Sequence, residues 1–240
     1  MATNGTAAPR TTPDYARIAG AAGLLLGVLV LISIIITFAG GAPPALDASA
    51  QKVINYYQDN EGLAKLGAVV GFLILGLAPI FYLGLYSRLR DRGAATGAAT
   101  ASSASDASWP RLGLVAFIAA GAVVAVQGSS ALALALGAKD EFQGAPGVAG
   151  SLFDLYNALG AALAILFAVF LIATGVSLAR AGGFPTWLTP LLYVGGVASL
   201  VSFLAPFTEV DAFAFIGIIP YICFGVLGAA GGASLRRGSA

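Results

Sequence analysis

The sequence predicts an all-α fold, a polytopic transmembrane bundle of six helices. Three observations predict it. Apolar residues make up 58% of the 240-residue chain and charged residues 10%, against roughly 25% charged in an average soluble domain. With a mean hydropathy of +0.90, the chain has too few charges to coat a water-soluble surface. The apolar residues also gather into six nearly uncharged runs, each close to the ~20 residues that cross about 30 Å of hydrocarbon. Finally, the basic residues are divided unevenly between alternate loops.

Residues 1–17 are rich in Ala, Thr and Pro and predict a disordered N-terminus. The first span covers about 18–40. It is too long for a signal peptide and carries Arg10 and Arg17 on one flank. Gly41 to Pro44 breaks it. Asp47 then stands where it can cap a short helix, Ala48 to Gln58, whose Val53, Ile54 and Tyr57 share one face. This stretch is expected at the outer interface, with Tyr56 and Tyr57 at headgroup level. The second span, about 63–86, begins with a Glu61–Lys65 pair at helical spacing, contains Pro79, and ends in Ser87-Arg88-Leu89-Arg90.

Residues 93–109 are mostly Gly, Ala, Ser and Thr and predict a flexible cytoplasmic linker. The third span covers about 112–136, and Lys139, Asp140, Glu141 and Pro146 follow it. The fourth, about 155–179, is closed by Arg180. A turn with Gly182, Gly183 and Pro185 leads to the fifth, about 186–206. Pro206, Glu209 and Asp211 form the next loop. The sixth span, about 212–233, contains Pro220 and ends in Ser234-Leu235-Arg236-Arg237, with 238–240 as a tail.

Placing the N-terminus in the cytoplasm puts Arg10, Arg17, Arg88, Arg90, Arg92, Arg111, Arg180, Arg236 and Arg237 on that side. Only Lys52, Lys65 and Lys139 fall on the other. That distribution follows the positive-inside rule, and an even number of spans returns the C-terminus to the cytoplasm as well.

Composition also excludes function classes. Histidine is absent and the single cysteine, Cys223, lies inside an apolar run. Histidine-based zinc and haem sites, and Ser-His or Cys-His relays, are therefore impossible. No P-loop, dinucleotide fingerprint, HExxH, GxSxG or CxxC is present, and no acid or base lies near the middle of a span. No catalytic residue, metal site or cofactor is expected. The scattered basic residues do not make a nucleic-acid surface.

Polar residues within spans need partners or a function, because burying them in hydrocarbon is costly. Gln127, followed by Ser129 and Ser130, lies beyond the midplane of the third span, and Asp154 and Asn157 stand on the facing end of the fourth. Tyr82 and Tyr221 follow the two intraspan prolines, whose kinks can open a cavity. Gln127, Asp154, Asn157, Tyr82 and Tyr221 are thus the candidate ligand-binding residues. The competing reading is plain interhelical hydrogen bonding, worth about 0.6 kcal/mol per bond. Gly23/Gly27 and Gly67/Gly71 are small-xxx-small motifs that predict close contact between the first two spans, self-association, or a membrane protein partner.

The segment Val53-Ile54-Asn55-Tyr56-Tyr57-Gln58-Asp59-Asn60, the span ending Leu85-Tyr86-Ser87-Arg88-Leu89-Arg90, and Phe184-Pro185-Thr186-Trp187-Leu188 together resemble a group of uncharacterised actinobacterial membrane proteins similar to the DUF4386-type family. The resemblance implies a small polytopic protein of a bacterial plasma membrane and supplies no catalytic role. The residues themselves lead to the expectation of a non-enzymatic accessory or structural membrane component. The alternative is a small-molecule or lipid transporter or binding bundle.

Overall fold

A computed structural model of the chain describes residues 13–95, 108–139, 141–204, 207 and 216–237. The expectations for 1–12, 96–107, 208–215 and 238–240, and for Asp140, Ala205 and Pro206, lie outside these residues. Helix α1 spans Pro13–Ala39, α2 Ala50–Asp59, α3 Glu61–Ala95, α4 Ser108–Gly137, α5 Pro146–Ala181, α6 Leu188–Ser202 and α7 Ile218–Arg237.

The expected count of six helices is therefore corrected to seven among the described residues, and five of these are long and apolar enough to cross a membrane. Two local causes account for the difference. The run at 186–206 is apolar throughout, but its helix has 15 residues, or about 22 Å at 1.5 Å per residue, short of the ~30 Å hydrocarbon layer. A turn through Pro185 delays its start, with the Leu188 N–H donating to the Pro185 carbonyl, and the helix gives way to a turn at Phe203 and Leu204. Pro206 in the sequence opposes helix just upstream of itself.

The second cause is α2, read from sequence as an accessory at the lipid interface. It is packed into the bundle instead. Val53 and Ile54 are buried against Leu134, Ala135, Ala138, Phe142, Ala149 and Phe153, which closes one end of α4 and α5. Its N-cap is Ser49, whose hydroxyl accepts from the Lys52 N–H at 3.4 Å, and not Asp47.

Consecutive long helices pack antiparallel as a ring, α1–α3–α4–α5–α6–α7, which α7 closes back onto α1. That last contact is the most extensive in the bundle, and glycine makes it so. Gly20, Gly23 and Gly27 of α1 face Gly232, Gly228 and Gly225 of α7 backbone to backbone. A Cβ on Gly232 would lie 2.6 Å from the Gly20 carbonyl oxygen, and one on Gly23 would lie 2.7 Å from that of Gly228. The Gly23/Gly27 motif thus joins the first helix to the last one, and Gly23 also meets α3, where the Phe81 ring lies 2.6 Å from a Cβ position. Gly71 has nothing within 4 Å of where a Cβ would stand.

The ring has a filled centre. Tyr82, Phe117, Phe167, Phe170 and Phe224 come from four different helices and form a chain of ring contacts with centroids 4.7–5.8 Å apart. Offset and edge-on arrangements of this kind add to the burial of the rings themselves. Around them pack Leu26, Leu85, Leu171, Leu192 and Leu227, all fully buried.

The two ends of the bundle differ chemically. Gly20 lies beside Arg236, the Arg92 guanidinium donates to the Gly182 carbonyl, and Arg88 stands beside Tyr15, so one end collects the arginines. At the other end Glu61 bridges Lys65 on its own helix and Lys139 just past α4, both at 2.5 Å.

Candidate functional site

The five candidate residues divide between three surroundings. Tyr82, on α3 just past Pro79, is fully buried at the ring centre. It stacks on Phe117 with centroids 4.7 Å apart, and its hydroxyl shares a 3.0 Å hydrogen bond with the Thr174 hydroxyl of α5. Gly113 of α4 makes room for this pair, since a Cβ there would lie 2.5 Å from the Tyr82 oxygen. A buried hydroxyl without a partner costs about 1–3 kcal/mol, so Thr174 is what allows a tyrosine at this depth. The sequence reading did not single out Thr174. A hydroxyl inside the run Ile172-Ala173-Thr174-Gly175 was the available signal.

Gln127 lies in the α4–α5 contact, where its amide nitrogen donates to the Tyr156 carbonyl at 3.1 Å. That carbonyl belongs to the helix backbone, and Gly160 one turn further on leaves space for the amide group. Asn157 is on the same turn of α5 as Tyr156. Its side-chain nitrogen is buried and has no hydrogen-bond partner. Asp154 is exposed, on the surface of the same helix.

Tyr221 lies on α7 against Phe167, with centroids 5.6 Å apart, and remains 42% exposed. Pro220 falls in the first turn of α7, which starts at Ile218, and a first-turn N–H has no carbonyl to meet. Pro79, by contrast, is inside α3.

Gln127 and Asn157 are thus brought to one helix pair. Tyr82 is held in the core by a different partner, and Asp154 and Tyr221 face outward. Nearby, Tyr57 of α2 is largely buried close to Tyr56 and Tyr156. Burial first, and then these two neighbouring phenols, push its hydroxyl well above the ordinary tyrosine range and keep it neutral.

Three further intraspan hydroxyls donate to backbone carbonyls. Ser130 and Ser177 each donate to the carbonyl four residues before, and Ser199 of α6 donates to the Ala164 carbonyl of α5 at 2.8 Å. Cys223 is buried, and its thiol points to the Leu191 carbonyl at 3.4 Å. Among the described residues no three His, Cys, Asp or Glu side chains gather where a metal ion could be held. Such an arrangement stabilises helix contacts. No family model matches the chain, and no curated protein or solved structure is similar to it.

Proposed function

We propose that the chain is a non-enzymatic accessory or structural component of a bacterial plasma membrane, with both termini in the cytoplasm. One observation carries the reading: the middle of the ring is occupied by the Tyr82–Phe117–Phe170–Phe167–Phe224 cluster where a substrate path would have to run. A small-molecule site needs a concave pocket with a few convergent polar groups, and Tyr82, Gln127 and Ser199 inside this bundle are engaged with backbone or with another side chain, which leaves the Asn157 side-chain nitrogen as the exception. The orientation is supported by the gathering of basic residues at the end where Gly20 of α1 lies beside Arg236 of α7, which the positive-inside rule assigns to the cytoplasm together with both termini. Kinship with the DUF4386-type family belongs to the same proposal and rests on the short segments quoted for it.

A partner subunit would find small residues with open space beside them on α3 and α4. Gly71, Gly76, Gly121 and Gly128 have nothing within 4 Å of a Cβ position, which suits close approach of another helix. Native purification at ordinary expression level, followed by mass spectrometry of what co-purifies, tests the role. A stoichiometric membrane protein supports it, and a bare monomer overturns it. Cysteines placed at Ala50, Gly97 and Gln143 in a Cys223→Ser background test the orientation. Impermeant reagent added to intact cells should label positions 50 and 143 and leave 97 untouched.

A second reading, a ligand-binding bundle, is favoured by the side-chain nitrogen of Asn157 alone. A buried donor with no acceptor costs about 1–3 kcal/mol, which a bound molecule would offset. If Asn157→Leu raises stability in lipid-free detergent but removes a co-purifying small molecule, this reading displaces the first.

A further inference from the structure

At the arginine end, away from all five candidate residues, a cavity of about 390 Å³ opens between α3, the α5–α6 turn and the last turn of α7. It is lined by Arg92, Gly183, Phe184, Pro185, Ser234 and Arg237. Two guanidinium groups and a hydroxyl line it, and among the described residues no acidic side chain does.

The site is built around Arg92. Its guanidinium donates to the Gly182 carbonyl at 2.6 Å and lies 5.5 Å from the centre of the Phe184 ring, so a backbone carbonyl and an aromatic face both help to hold it. The turn has been shaped to admit it. Gly183 has φ +70°, and a Cβ there would fall on the guanidinium itself. Arg237, on the last turn of α7, is exposed and lines the same cavity.

A guanidinium offers five N–H donors in one plane, a fork that matches phosphate oxygens, and two of them across a small cavity favour an anion. The surroundings fix the depth. Trp187, just past the turn, is 52% exposed, as a tryptophan at the headgroup layer would be. Basic pockets between spans at this level suit phosphorylated lipid headgroups.

We propose that this cavity binds a phosphate group, whose source is either the headgroup of an anionic phospholipid or a soluble phosphate. The proposal does not depend on the accessory role and survives its failure.

The test uses the full chain in mild detergent. Native mass spectrometry counts retained dioleoyl phosphatidylglycerol against dioleoyl phosphatidylcholine, and thermal unfolding is followed with added inorganic phosphate. Wild type should retain phosphatidylglycerol about tenfold more tightly than phosphatidylcholine. Arg237→Gln, on an exposed terminal turn, should remove most of that preference. Arg90→Gln, exposed at the same end but outside the cavity, should keep it. Arg92→Gln should behave as Arg237→Gln if it folds, and the Arg237 variant decides if it does not. Protection by inorganic phosphate that Arg237→Gln abolishes, without lipid preference, assigns the site to a soluble phosphate. Equal retention of the two lipids without phosphate protection overturns the proposal, as does an equal loss in the Arg90 and Arg237 variants.

Discussion

Replacing Gly232 by alanine measures how tightly the ring is closed. The added methyl would stand 2.6 Å from the Gly20 carbonyl oxygen and 3.0 Å from the Leu24 nitrogen. Both are backbone atoms of α1, so no side chain can turn aside. A carbon normally approaches a carbonyl oxygen to about 3.3 Å, so α1 and α7 must part locally by roughly 0.7 Å. Overpacking of this kind costs about 1–3 kcal/mol, and the better helix propensity of alanine returns at most ~1 kcal/mol. A net loss of about 1–2 kcal/mol is expected. Gly76→Ala is the control, because its Cβ meets nothing within 4 Å and only the propensity gain remains. The two variants should be compared by unfolding in mixed micelles with increasing dodecyl sulfate, followed by circular dichroism. If Gly232→Ala proves as stable as Gly76→Ala, the α1–α7 backbone contact does not exist as described.

Three further outcomes are expected. Tyr82→Phe should cost about 1 kcal/mol by stranding the Thr174 hydroxyl. A double-mutant cycle with Thr174→Val should give a coupling of about 0.6–1.7 kcal/mol, and zero coupling would remove the bond from the account. Ile54→Ala should lose about 2–4 kcal/mol of local packing and speed hydrogen exchange across Ala50–Asp59. Unchanged exchange there would mean that α2 is not docked. Glu61 holds Lys65 and Lys139 at exposed positions, where salt screens the attraction. Added salt should therefore loosen the adjoining ends of α3 and α4 in the wild type and have no such effect in Glu61→Gln.

Membrane character was legible from composition alone, because hydropathy is summed over long windows and no packing detail can reverse it. The helix count was not. Whether residues 186–206 form one span depends on where a turn yields to helix, and average hydropathy does not see the difference between 15 and 20 helical residues. The same limit applies to α2. Val53, Ile54 and Tyr57 were correctly seen to share a face, but the same stripe suits lipid or protein equally well, and only the position of Leu134 and Phe153 decides. Glu61–Lys65 was readable from spacing, whereas Lys139 reaches Glu61 from the turn after α4 and leaves no local pattern. Among the candidate residues, Gln127 and Asn157 could be paired from their depths in adjacent spans. Tyr82 could not be separated from them, since its partner Thr174 is 92 residues away.

The pairing of α1 with α7 also sets an order of assembly. A chain made from its N-terminus inserts α1 first, and the glycine face of that helix, met at Gly23 by Phe81 of α3, is not covered at Gly20 and Gly27 until α7 has been synthesised. Through most of translation the ring is an open arc whose two free edges are Gly20–Gly27 on one helix and whatever has last emerged on the other. A product truncated before Ile218 would stay open at that seam, with a smooth backbone groove exposed to lipid, and would be prone to trap a stray helix or be degraded. Because the N-terminal end of α1 lies beside the C-terminal end of α7, the same geometry makes the chain suited to circular permutation. Joining the two termini and cutting elsewhere would convert the slowest closure into a local one.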